Sequence, residues 1–106
     1  MTDVLGGFGH RVLLTMMRLG ASAYTGPIVE ELERQTGRPV APAAVYVTLR
    51  RLEKRGLLTS TMIPTPEGEG GRPRRVFEVT DEAVRTLRAA RRDLEGLWDG
   101  IEALEG

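Results

Sequence analysis

Apolar residues recur at helical spacing from the start of the chain. Leu5, Phe8, Val12, Met16 and Leu19 follow steps of three and four residues, and Leu13, Leu14 and Met17 widen the stripe beyond one face. This predicts a first helix over 5–19 that is apolar on more than one side. Gly6, Gly7 and Gly9 each weaken its start by about 1 kcal/mol relative to Ala, and Gly20-Ala21-Ser22 breaks it. A short second helix is expected from Thr25 as N-cap, with Pro27 in the first turn, Glu30 and Glu31 at the positive end of its dipole, and Gly37 as its stop. Ile28, Val29 and Leu32 supply its apolar contacts. A third helix runs from Pro42 to just before Gly56. At about 100° per residue, Val45, Leu49 and Leu52 share its core side, and Ala43, Val47, Arg50 and Lys54 share the opposite one. Tyr46 and Arg51 lie at the flanks.

Beyond Gly56 the pattern changes. Residues 57–63, LLTSTMI, and 75–80, RVFEVT, are rich in β-branched and apolar types and predict two strands. Pro64, Pro66, Gly68, Gly70, Gly71 and Pro73 fill the segment between them with breakers, which predicts a hairpin with a long, mobile tip. The last element starts at Thr80, a good N-cap, with Asp81 and Glu82 in its first turn. Ala83, Leu87, Ala90, Leu94, Leu97, Ile101 and Leu104 then alternate steps of four and three residues, which is the spacing of a coiled-coil seam. A helix of about 24 residues is about 36 Å long, more than the width of a small domain, so this one is expected to project and find a partner.

Composition narrows the function classes. A chain of 106 residues fits one domain. At that size folding removes only about 60 to 70% of the surface the unfolded chain exposes, so an apolar stripe left outside is expected to belong to a second subunit. No Cys and a single His leave no disulfide, thiolate nucleophile, Cys-ligated metal or multi-His site, and no Gly-rich phosphate loop is present. An enzyme is therefore not expected, and no metal or cofactor is called for. The N-terminal stretch has neither the basic start nor the cleavage site of a signal peptide, nor an apolar run near the roughly 20 residues a bilayer requires. The reading is a soluble, cytoplasmic protein.

Fifteen basic residues balance fifteen acidic ones, yet the balance is local nowhere. From Arg38 to Arg75 eight basic residues (Arg38, Arg50, Arg51, Lys54, Arg55, Arg72, Arg74, Arg75) face three acidic ones (Glu53, Glu67, Glu69), and the rest of the chain carries the opposite surplus. A basic module sits inside a neutral protein.

Three helices and a two-stranded hairpin, the second helix short and the third basic on one face, follow the order of a winged helix-turn-helix, in which the third helix enters the major groove of DNA. The expected fold is mainly α with a small β-hairpin wing: residues 1–80 as the winged helix and 81–106 as a C-terminal dimerisation helix of the same compact unit. The residues AYTGPIVEELERQTGRPVAPAAVYVTLRRLEKRGLL, followed by GRPRRVFEVT, resemble the PadR family of bacterial transcriptional regulators from about Leu5 to Leu87. The most specific parts are AVY, the LxRLEKRGL run and the Gly-Arg-Pro-Arg-Arg before the second strand. Two places depart from the family pattern: Tyr24-Thr25-Gly26 stands where a Tyr-Gly pair is common, and Ala83-Val84 where a Gly often follows the capping Thr. The resemblance implies a dimeric DNA-binding repressor, often one released from its operator by a small molecule.

On this reading the DNA-binding candidates are Ala43, Tyr46, Val47, Arg50, Arg51 and Lys54 on the third helix and Arg72, Arg74 and Arg75 on the wing. Small apolar Ala43 and Val47 suit a thymine methyl, and Arg50 and Arg51 suit either guanine or phosphate. The Tyr46 hydroxyl either reaches the DNA or caps the local core. The bland alternatives are a solvated helix face and charges that keep an edge hairpin from aggregating. Phe8, Val12, Met16, Leu87, Leu94, Leu97, Ile101 and Leu104 are the dimer-interface candidates. Trp98, beside the seam, is either a packing residue or, as the resemblance suggests, the wall of a pocket for a planar or hydrophobic effector. Arg85, Arg88, Arg91 and Arg92 precede Asp93, Glu95, Asp99, Glu102 and Glu105, which favours an antiparallel or crossed pair of last helices. His10 reads as incidental. The rival to a homodimer on a pseudo-palindromic DNA site is an interaction module of the same fold that does not read DNA and uses its last helix as a docking coiled coil, supported by zero net charge and the acidic second and fourth helices.

Overall fold

Four helices and a hairpin form where the apolar spacing places them, in a computed structural model that describes residues 5–64 and 72–105. The helices are α1 (Gly6–Arg18), α2 (Thr25–Thr36), α3 (Pro42–Lys54) and α4 (Asp81–Trp98), with a 3-10 turn at Glu102–Leu104. The strands are β1 (Ser22–Ala23), β2 (Leu58–Ile63) and β3 (Arg74–Val79), and β3 is central in an antiparallel sheet of order β1-β3-β2. The proposed hairpin tip, with Pro66, Glu67, Gly68, Glu69, Gly70 and Gly71, lies outside the described residues.

The core is built from the predicted inner faces. Val12, Leu13 and Met16 of α1, Ile28 and Leu32 of α2, and Val45, Leu49 and Leu52 of α3 are buried together with Leu58 of β2 and Phe77 of β3. Burying a side chain of this size contributes about 1.5 to 3 kcal/mol, so this cluster is the main source of stability. Alternation sorts β3: Arg75, Phe77 and Val79 fall on one face, Arg74, Val76 and Glu78 on the other. Phe77 pairs with Ser60 on one side and Ala23 on the other, which places its ring at the junction of the sheet and α3.

β1 has no counterpart in the sequence pattern, because two residues cannot display an alternation. It forms because Gly20 and Ala21 both take left-handed backbone (φ +88° and +68°), turning the chain so that Ala21 accepts from the Val79 amide at 2.9 Å. That strand also moves the start of α2: Tyr24 is the extended N-cap and makes no side-chain cap bond, and Thr25 is the first helical residue rather than the cap. The turn into α3 is held at both ends. Gly37 closes α2 in the left-handed conformation (φ +69°), and the Glu33 carboxylate accepts from the Val40 amide at 2.9 Å. On the outer face of α2, Glu31 accepts from Arg34 at 2.6 Å and from Gln35 at 2.8 Å, which holds its carboxyl below the usual range.

Two expectations about association need correction. Val12 and Met16 are fully buried and Leu87 nearly so, all three within the protomer's own core, so they are not available to a partner. The widened stripe of α1 divides instead, with Leu14 and Met17 outside and Phe8 at the boundary. The last helix is also shorter than expected, 18 residues ending at Trp98. Asp99 leaves helical geometry (ψ 134°) and Gly100 takes φ +80°, a glycine stop of the kind that commonly closes helices. Ile101 and Leu104 therefore do not continue the seam, and Asp99, Glu102 and Glu105 are not on the helix. The charge argument for an antiparallel pair loses three of its five acids. Of the cations, Arg85 pairs with Glu82 and Arg91 with Glu95 within the helix itself.

Candidate nucleic-acid interface

The exposed side of α3 follows from its buried side. With Val45, Thr48, Leu49 and Leu52 turned inward, the helical repeat turns Ala43, Tyr46, Val47, Arg50, Arg51 and Lys54 toward solvent or the edge. Val47 is 55% exposed and lies on the same side as Ala43 and the cations. Pro42 begins the helix, and Ala41, extended at ψ 121°, accepts from the amides of Ala44 and Val45. The end of α3 is locked to the wing, since Leu57 donates to the Leu52 carbonyl at 3.0 Å before β2 begins.

Tyr46 packs against the core and also stays partly exposed. Its ring meets Phe77 edge-on, centroids 6.1 Å apart at 74°, while 40% of the residue stays exposed. The ring is anchored on the core aromatic of β3, and the side chain reaches the surface from a fixed base.

The three wing arginines, grouped by sequence, are separated by the strand. Arg72 precedes β3 and is exposed. Arg74 lies over the Tyr24 ring, its guanidinium carbon 4.5 Å from the centroid. Gly26 leaves room for that ring: a Cβ there would come within 3.3 Å of it. Tyr24 thus serves as a platform for Arg74. Arg75, on the opposite face of the strand, donates from Nη1 to the Ser60 hydroxyl at 2.9 Å and is half-buried.

Sequence reasoning did not single out Glu53, Ser60 or Tyr24. Ser60 donates to Glu53 Oε2 at 2.5 Å, and Glu53 Oε1 lies 3.5 Å from Arg50 Nη1. A signal was present, since Glu53 is an acid in the most basic stretch of the chain. The partner on β2 was not visible, because no periodicity says which strand residue a helix end will meet.

At the other end of the molecule α1 and α4 border an open groove of about 780 Å³, lined by His10, Leu14 and Met17 on one side and by Leu87, Arg88, Arg91, Leu94 and Trp98 on the other. Leu94, Leu97 and Trp98 are 49, 71 and 58% exposed. Trp98 lines this groove and is exposed, and is not packed into the protomer's own core. Among the described residues no cluster of His, Cys, Asp or Glu could hold a metal ion, and no helix is long and apolar enough to cross a membrane.

This architecture matches known proteins. No curated protein matches the chain in sequence. Among solved structures, it resembles a PadR family transcriptional regulator from Eggerthella lenta, at 33% identity over 92% of this chain and 82% of that one, with a TM-score of 0.70. A PadR family transcription regulator from Clostridium difficile aligns at 18% identity, covering 92% of this chain and 98% of its own, with a TM-score of 0.66. F93 from STIV, a winged-helix DNA-binding protein, shares the fold at 11% identity over 86% of this chain and 90% of its own, with a TM-score of 0.66. The sequence model of the Transcriptional regulator PadR-like family matches residues 13–89, and with the Eggerthella relative this places the chain in the PadR-like family of transcriptional regulators, which are not enzymes.

Proposed function

We propose that this regulator is a homodimeric repressor that reads a pseudo-palindromic DNA site. Residues 1–80 act as the reading unit and 81–106 as the dimerisation segment. The observation that carries the reading is the outer face of α3, where exposed Ala43 and Val47 continue into Arg50, Arg51 and Lys54. Such a face offers apolar contact for thymine methyls and cations for guanine or phosphate on one rigid element backed by a closed core. Arg72, and Arg74 on its Tyr24 platform, supply backbone contacts beside it, each adding about one unit to the salt dependence of binding. In a dimer the two α3 helices enter major grooves about one helical turn apart.

Leu94, Leu97 and Trp98 of α4, with Leu14 and Met17 of α1, form the surface that the second subunit covers. An aromatic or hydrophobic effector seated against Trp98 favours a dimer geometry whose α3 spacing no longer matches the operator. The protein acts in the cytoplasm, where the DNA is. The rival reading as an interaction module draws on zero net charge and the acidic second and fourth helices; of those acids Glu31 and Glu33 of α2 are engaged within the protein.

Selection of bound sequences from a random DNA pool tests the proposal: a palindrome with half-sites about one turn apart is the expected result. Arg50→Ala is expected to change the preferred sequence, and Arg72→Ala to weaken all sequences alike. No binding to any duplex even at low salt overturns DNA reading in favour of the interaction module.

A further inference from the structure

Glu53 is out of place electrostatically. A carboxylate beside the reading face repels phosphate, and it stands between Arg50 and Arg75, two of the cations that face would use. Its geometry is specific on both sides. Oε1 faces Arg50 Nη1 at 3.5 Å one turn back along α3, and Oε2 accepts from Ser60 of β2 at 2.5 Å. The Ser60 oxygen then accepts from Arg75 Nη1 at 2.9 Å on β3. The hydroxyl has one proton to give and gives it to the carboxylate, so its lone pairs are free for Arg75. The chain Arg50-Glu53-Ser60-Arg75 therefore runs from helix to wing, through an ion pair at its first step and hydrogen bonds at the next two. Glu53 and Ser60 are partly buried, so the charge-assisted bond between them is less screened by solvent than an exposed one.

We propose that Glu53 is a positioning residue for selectivity: its charge draws the Arg50 guanidinium to one side and, through Ser60, it fixes the wing against the reading helix, at the expense of raw affinity for DNA. This rests on the reading of α3 as the DNA-contacting helix. Arg75 is then a strut of the wing and not a phosphate contact. An arginine free to swing finds phosphate on any sequence, whereas one held by a carboxylate reaches a base edge only where a guanine lies in register.

The two arms can be cut separately. Glu53→Gln keeps an oxygen for Ser60 and removes the charge that holds Arg50; Ser60→Ala keeps that charge and cuts the wing arm; Ser60→Thr keeps the hydroxyl. Affinity for the duplex selected by the wild-type protein and for a scrambled duplex is measured at two salt concentrations. For Glu53→Gln, binding to the scrambled duplex is expected to tighten and the ratio of specific to scrambled affinity to fall about tenfold. Ser60→Ala is expected to lower the ratio less, and Ser60→Thr to restore it. A role in folding alone would weaken both duplexes together, and that result, or an unchanged ratio in Glu53→Gln, overturns the assignment. A wild-type protein that selects no sequence overturns the underlying reading of α3 instead.

Discussion

The two ends of this small protein differ in what accompanies their exposed apolar residues. At the α3 and wing end, Val45, Leu49, Leu52, Leu58 and Phe77 are buried within the chain, and the outer surface mixes exposed Val47, Met62 and Ile63 with cations and a polar relay. At the α1 and α4 end, Leu14, Met17, Leu94, Leu97 and Trp98 remain between 40 and 71% exposed. At the first end the exposed apolar groups are interspersed with Arg50, Arg51, Lys54 and Arg74, while at the second they cluster on α1 and α4 beside an open groove. The proposed roles follow this contrast: a mixed basic face for DNA, and a mainly apolar face for a second subunit.

The largest test of the contrast is Phe77→Ala, which removes the ring on which the sheet, α3 and Tyr46 converge. It is expected to cost about 3 to 5 kcal/mol in urea denaturation, whereas Val47→Ala on the outer face of α3 stays within about 0.5 kcal/mol. Equal losses would mean the outer face is part of the fold. Next comes the double change Leu94→Glu with Leu97→Glu. It is expected to weaken the dimer at least about a hundredfold in sedimentation, about 2.8 kcal/mol, with the circular dichroism of the protomer retained. An undisturbed dimer would place the covered surface elsewhere.

Thr80→Ala sits where the two ends join. Its hydroxyl accepts from the Ala83 amide at 3.2 Å as the cap of α4 and donates to the Gly56 carbonyl at 2.9 Å across the α3–β2 turn. Loss of about 1 kcal/mol is expected by thermal melting. The smallest effect belongs to Arg91→Ala. Its pair with Glu95 is 2.6 Å long but 83 and 62% exposed, so a change below about 0.5 kcal/mol is expected, and a larger one would assign Arg91 to the dimer contact.

Much of this was legible in the residues. The inner face of α3 and the split of its outer side follow from spacing alone, as do the strands around Ser60 and Phe77 and the cap at Thr80. The misreadings share one cause. Val12 and Leu14 are two residues apart on a helix apolar on several sides, and only the placement of α2 and α3 decided that Val12 goes inside and Leu14 outside. Spacing carried the seam of α4 through Ile101 and Leu104, but Gly100 at φ +80° ended the helix, and a glycine so near the last apolar positions weighed too little against a regular repeat. The PadR-like resemblance marked the Gly-Arg-Pro-Arg-Arg stretch as one unit, yet strand alternation sends Arg74 to Tyr24 and Arg75 to Ser60.

Taken by itself, the sequence determined the elements, the basic block and the class of fold, because hydrophobic periodicity, caps and local charge depend only on neighbours along the chain. Which apolar groups stay uncovered, which side chains Arg74 and Arg75 meet and what Glu53 contacts were decided by the tertiary structure. These depend on residues far apart in sequence meeting in space, such as Glu53 with Ser60 or Tyr24 with Arg74, and no short-range pattern encodes that meeting.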